Sequence, residues 1–205
     1  MRARMALRYA GIRCELREVV LRNKPPEMLA ASPKGTVPVL VAPRGGGTNE
    51  VIDESLDVML WALAQHDPDG WLDVDAAQAN HLIVANDDDF KIWLDRYKYP
   101  DRHDGSDRAR DEARDEARAE CERFLSALEQ RLHAHPFLMG DAVSFVDVAI
   151  FPFIRQCAFV DRDWFDASPF GRLHQWLSYF LEADLFAAVM HKYSAWQSGN
   201  DKVMF

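Results

Sequence analysis

The chain has 205 residues, of which 48% are hydrophobic and 28% charged, and its formal net charge is −9 at pH 7. That balance belongs to an ordinary soluble globular protein and excludes a wholly disordered chain. The longest unbroken apolar run, 58–64, has seven residues, against the roughly 18 that a membrane-spanning helix needs.

Nucleic acid and anionic lipid are disfavoured as partners, because binding phosphate needs a net basic face. The charge is uneven, however. Residues 1–48 hold nine basic and three acidic side chains, a net of +6, which leaves −15 on the other 157. An anionic small molecule could be held by the N-terminal part. The three cysteines, Cys14, Cys121 and Cys157, are too few and too scattered for a disulfide framework or a zinc site. An odd count fits a reducing compartment such as the cytoplasm.

The chain opens on a short helix. Met1, Met5, Tyr9 and Ile12 fall at i, i+4, i+8 and i+11, on one helical face, and Gly11 is placed to end it. No capping residue precedes it. A β-rich stretch follows over 13–21. Lys24-Pro25-Pro26-Glu27 then opens a loop or short helix that closes near Ser32-Pro33-Lys34-Gly35. A second strand is expected over 37–41, a turn at Gly45-Gly46-Gly47, and a third strand over 50–52 that runs into Asp53-Glu54-Ser55. Ser55 is expected to cap a helix carrying Leu56, Met59, Leu60 and Leu63. Residues 1–65 thus read as one α/β unit and 66–75, with Pro68 and Gly70, as a linker.

Residues 76–205 show only helical patterns. The first helix is expected over 76–97 and the second, the longest, over 107–133. Ala109, Ala113, Ala117, Cys121 and Leu125 form an i+4 stripe of small or apolar residues on the second, which would let a neighbouring helix approach. Its repeated Arg-Asp-Glu-Ala pattern reads as a solvated face with weak i,i+3 ion pairs. The third helix has a strong local signal, because Ser144-Phe145-Val146-Asp147 is a capping box flanked by Val143 and Val148 as a hydrophobic staple. The run 146–154 is apolar on all sides, so this helix should be buried. Further helices fit 170–181 and 185–190. The tail 193–205 has no clear period.

The ordered set is Lys24, then Pro33-Lys34-Gly35-Thr36-Val37-Pro38-Val39-Leu40, then Asp53-Glu54-Ser55, then Gly140-Asp141-Ala142-Val143-Ser144-Phe145-Val146-Asp147. With this set the chain resembles the cytosolic glutathione transferases over nearly its whole length, and the omega-like, cysteine-type bacterial members in detail. The resemblance implies a thioredoxin-like N-terminal domain followed by an all-helical C-terminal domain, that is, an α/β plus all-α fold. It implies glutathione as co-substrate, a hydrophobic or disulfide second substrate, and a homodimer.

The resemblance also assigns site residues. Pro38 matches the family's cis-proline, which would leave the backbone of Val37 facing outward to pair with an extended cysteinyl peptide as an added strand does. Glu54 and Ser55 match the pair that binds the γ-glutamyl end, with the carboxylate of Glu54 for the ligand's ammonium and the helix N-terminus at Ser55 for its carboxylate. A plain N-cap at Ser55 fits the same position. Lys24 matches a glutathione-contacting lysine of the omega-like class, with a solvated lysine as the bland alternative and Lys34 as a second candidate. The second-substrate pocket would draw on Trp93, Arg96 and Tyr97 and on Phe153, Gln156 and Cys157.

The family's catalytic residue stands at the end of strand 1 or the start of helix 1. A thiol there is activated by the helix N-terminus. The opening residues 1–7 resemble the helix just beyond a Cys-Pro-Tyr-Ala motif, so strand 1 and the catalytic loop, roughly 15 residues by ordinary element lengths, are expected to be missing. The 13–21 strand should then lack a neighbour. No residue of the chain is assigned a catalytic role. Thiol transfer or deglutathionylation is the expected chemistry of a longer, cysteine-bearing form, and a non-catalytic glutathione-binding or dimeric interaction module is the alternative.

Overall fold

A computed structural model of the chain describes residues 1–44, 46–100 and 107–205. Gly45 of the expected glycine turn lies outside the described residues. The chain forms two compact units. One contains Met1–Asp69 together with Asp184–Phe205, and the other contains Gly70–Ala183. Residues 184–205, which the sequence pattern placed with the helical half, group with the first unit.

In the first unit, helix α1 (Arg2–Tyr9) buries Met5, Ala6 and Leu7 and packs on α3 (Ser55–Gln65), whose Val58, Met59, Ala62 and Leu63 are buried in turn. The spacing of these residues gives each helix one apolar face, and burying that face drives the pairing. Gly11, at φ +67°, ends α1 in a left-handed conformation that glycine adopts without steric cost. Helix α10 (Asp184–Val189) also packs on α1 and buries Phe186 and Val189. The short helix α2 (Pro26–Ala31) starts with proline at its first position, where no N–H is needed.

Strands β2 (Leu40–Pro43) and β3 (Asn49–Ile52) form an antiparallel hairpin in which Leu40 faces Ile52 and Pro43 faces Asn49. The ladder starts three residues later than the expected 37–41 strand. Pro38 has no N–H to donate, so the segment around it stays outside the ladder.

The expected strand over 13–21 shrinks to β1 (Glu15–Leu16). It does have a neighbour. The chain's own tail forms β4 (Val203–Met204) and pairs antiparallel with it, Glu15 opposite Met204 and Leu16 opposite Val203. The Phe205 N–H donates to the Cys14 carbonyl at 2.9 Å, and the Trp196 N–H donates to the Glu18 carbonyl at 2.8 Å. The Arg17 guanidinium lies over the Trp196 ring, 4.6 Å from its centroid. Further along, Val20 bridges to Asn23 instead of continuing the ladder. A strand lasts only as long as its partner, and this tail offers two residues.

The second unit is helical. Asp75 caps α4 (Ala76–Val84), accepting from the Gln78 N–H at 2.7 Å. The expected single helix over 76–97 is α4, a π-helical turn (Ala85–Phe90) and α5 (Lys91–Lys98). Helix α6 (Asp107–Ala134) packs on α5 and on α9 (Gly171–Glu182). Ala117, Cys121 and Leu125 of its small-residue stripe are wholly buried within this unit, so that stretch serves the core. A short helix the periodicity did not reveal, α8 (Arg162–Ala167), is capped by Asp161.

Helix α7 (Phe145–Ala158) is buried on most sides, and the capping box at its start is complete. Asp147 does more than cap. Its Oδ1 accepts from the Leu138 N–H and the Trp176 Nε1–H, both at 2.8 Å, and its Oδ2 from the Ser144 N–H at 3.0 Å and the Ser144 hydroxyl at 2.6 Å. Burial pushes this carboxyl above the usual range while the four donors pull it back. Trp176 in turn packs with Phe151 and Phe180 in a tilted and edge-on aromatic cluster.

Candidate functional site

The residues expected to hold a ligand lie in the first unit, just before α2, on the segment from the end of α2 to β2, and on the turn from β3 to α3. Gly35 organises the second of these. It is buried and sits at φ +62°. A Cβ built there would lie 3.2 Å from Leu29 Cδ2 and 3.7 Å from Lys24 Nζ. Glycine is favoured by the conformation, and a side chain here would also press on Leu29 and meet the Lys24 ammonium. Lys24, on the chain before α2, and Gly35 are thus brought together.

Two residues further on, the Val37–Pro38 peptide is cis. Val37 is 46% exposed, and no described residue hydrogen-bonds its backbone. An exposed N–H and C=O on extended backbone can take an extended peptide the way a sheet edge takes a strand.

The β3–α3 turn supplies charge. Lys34 Nζ donates to Asp53 Oδ1 and to Glu54 Oε1, both at 3.0 Å, and the Ser32 hydroxyl donates to Asp53 Oδ2 at 2.7 Å. The Glu54 contact, then Asp53, raises the pKa of Lys34. The Ser32 hydroxyl, then Lys34, holds the Asp53 carboxyl below the usual carboxylate range.

Ser55 was expected to cap α3. It is instead the first helical residue, with Glu54 in the N-cap position, and no side chain caps the helix. Glu54 turns its carboxylate toward Lys34 rather than back onto the helix, so the first-turn N–H groups have no side-chain acceptor. An 11-residue helix that presents uncapped N–H groups and the positive end of its dipole suits a carboxylate.

The thiols do not join this group. Cys121 and Cys157 are wholly buried in the second unit. The neighbouring Cys121 and then burial raise the Cys157 thiol well above its ordinary pKa, and burial also raises Cys14, which stands before β1. Tyr9 donates to Asp67 Oδ1 at 3.0 Å and accepts from the Asp69 N–H at 2.8 Å, and burial raises its phenol as well. It serves as a tie between α1 and the chain beyond α3. Among the described residues, no cluster of three or more His, Cys, Asp or Glu could hold a metal.

In the second unit, Trp93, Arg96 and Tyr97 stand on α5, and Phe153, Gln156 and Cys157 on α7, which pack together. Arg96 lies over Trp93 at 4.6 Å, and Lys98 Nζ donates to Gln156 Oε1. Tyr97 and Cys157 are buried.

The family model described as the glutathione S-transferase N-terminal domain matches residues 1–70, and the one described as the glutathione S-transferase C-terminal domain matches residues 111–178. The chain belongs to the glutathione S-transferase family. Its first unit is the thioredoxin-like domain of such a protein, here with few strands, and its second is the helical C-terminal domain.

Solved glutathione transferases share the fold. One is a family member from Pseudomonas fluorescens with two glutathione bound. It superposes with a TM-score of 0.76 at 18% identity, over 91% of this chain and 86% of that one. A glutathione transferase from Burkholderia graminis, with two glutathione molecules per subunit, gives 0.73 at 21% identity over 91% and 81%. One from Pseudomonas putida, with one glutathione disulfide per subunit, gives 0.74 at 19% identity over 91% and 84%. No curated protein sequence matches the chain. No helix among the described residues is long and apolar enough to cross a membrane.

Three members of the polar group in this glutathione S-transferase were not singled out from sequence as acting together: Ser32, Lys34 and Asp53. The Ser-Pro-Lys-Gly segment and the Asp-Glu-Ser turn were both visible, but their pairing spans about twenty residues of chain.

Proposed function

We propose that the chain binds glutathione, with Lys24, the Val37 backbone beside Pro38, Glu54 and Ser55 as its contacts. The observation that carries this reading is the open, exposed Val37 backbone at a cis peptide, in the same unit as a helix that starts with no side-chain cap. The cysteinyl part of the ligand would pair with Val37. Its γ-glutamyl carboxylate would sit at the α3 N-terminus, its ammonium at Glu54, and its glycyl carboxylate within reach of Lys24. The glutathione-bound neighbours support the ligand's identity.

Thiol transfer or deglutathionylation is the reaction class we propose for a form that carries a nucleophile. Within residues 1–205 the reading is binding without turnover. A thiolate is the reacting species, and the raised pKa values of Cys14 and Cys157 keep both protonated at neutral pH. A homodimer in a reducing cytoplasm is the setting proposed, with the unpaired cysteines in support.

Calorimetric titration with glutathione, run beside thiol-transfer and conjugation assays, tests this. Saturable binding that weakens severalfold in Glu54→Gln and Ser55→Ala, with no turnover, is expected. Full turnover by a chain shown by intact mass to start at Met1 would defeat the reading, and so would binding that ignores both substitutions. Light scattering checks the dimer.

A further inference from the structure

Lys34 already pairs with Glu54, which the ligand's ammonium is expected to meet, and with Asp53 beside it. Both Asp53 oxygens are engaged, Oδ1 by Lys34 and Oδ2 by the Ser32 hydroxyl. Glu54 gives Oε1 to Lys34 and leaves Oε2 with no partner among the described residues. Two carboxylates and one ammonium leave the turn with a net charge of −1, where without Lys34 it would carry −2. An incoming ammonium therefore meets an acid pair already half compensated.

We infer that Lys34 is a specificity-determining residue, one that sets how strongly the site distinguishes a γ-glutamyl ligand with a free α-ammonium from the same ligand without it. This rests on the glutathione reading above. The role differs from that of a ligand contact. Lys34 weakens the site's grip on a cation and holds the 32–34 segment against the β3–α3 turn. Lys34 is 53% exposed and Glu54 62%. Solvent screens a pair so exposed, and the effect should therefore be severalfold rather than orders of magnitude.

The experiment uses the full chain and two probes, glutathione and its des-amino analogue, in which the γ-glutamyl amine is replaced by hydrogen. Calorimetry gives Kd for each, and the ratio of analogue to glutathione measures what the ammonium contributes. In Lys34→Met that ratio should rise about two- to fivefold over the unsubstituted chain, the range an exposed ion pair supports. Lys34→Arg keeps the charge and should keep the original ratio. Lys34→Gln replaces the Met variant if circular dichroism shows that one unfolded. An unchanged or smaller ratio in the neutral variants overturns the inference and leaves glutathione binding standing. A raised ratio in Lys34→Arg overturns its electrostatic basis. Failure of every form to bind either probe overturns the site assignment, and this inference with it.

Discussion

Replacing Asp147 with alanine should remove a large part of the helical unit's stability. The side chain is wholly buried and receives four hydrogen bonds, from the Leu138 N–H, the Ser144 N–H, the Ser144 hydroxyl and the Trp176 indole. The hydroxyl can rotate to another acceptor, but the other three donors are fixed. A buried donor left without a partner costs about 1–3 kcal/mol, so three cost roughly 3–9 kcal/mol, less whatever water recovers in the vacated space. Folded domains are stable by about 5–15 kcal/mol, so the loss is a large part of the whole.

Asp147→Asn is the control for this prediction. It keeps Oδ1 for Leu138 and Trp176 and sets an amide against the Ser144 N–H, leaving one donor unmatched, for about 1–3 kcal/mol. Urea unfolding followed by tryptophan fluorescence and circular dichroism gives both values. A loss under about 1 kcal/mol for Asp147→Ala would show that these donors find other partners, and the reasoning would fall.

Other substitutions probe the rest of the molecule. Glu129 on α6 accepts from the Arg172 N–H at 3.1 Å and the Leu173 N–H at 2.7 Å at the start of α9; Glu129→Ala should cost about 1–3 kcal/mol and Glu129→Gln less, by the same urea assay, and equal losses would argue against a capping role. The Asp53 carboxyl, held low first by Ser32 and then by Lys34, supports the folded state above the unfolded carboxyl value of about 3.9 and loses that contribution as pH falls through its own lower value. A carbon-detected NMR titration should place its midpoint below that reference, with Ser32→Ala moving it up; no movement would contradict the assigned cause. Deleting 201–205 removes β4 and should abolish slow amide exchange across 14–16 in the first unit while leaving the helical unit's exchange unchanged. Retained protection there would mean that β1 does not depend on the tail.

Legibility in the sequence followed the range of the interaction. The Ser144–Asp147 box could be read because its donors and acceptors stand three residues apart, and the hydrophobic staple and buried run confirmed its direction. Ser55 was read as the cap of α3, but Glu54 takes that position and turns its carboxylate to Lys34, a partner twenty residues away that local sequence does not reveal. The helix expected over 76–97 kept its span. Its π-helical turn did not show, because one extra residue per turn barely changes an apolar period.

Residue spacing alone determined the helical faces of α1, α3 and α6 and the cap of α7, because each answers to contacts within a few residues; the cis-proline at 38 was implied by the family resemblance, and the left-handed conformation of Gly35 came from the structure. Tertiary structure decided the rest. The 13–21 segment carried strand propensity along its length, but propensity supplies no partner, and only residues 15–16 found one, in a tail with no readable period. The Ser32, Lys34, Asp53 and Glu54 cluster also forms only when the 32–38 segment lies beside the β3–α3 turn. A charge's partner depends on which chain segments fold close together, and its sequence position does not record that.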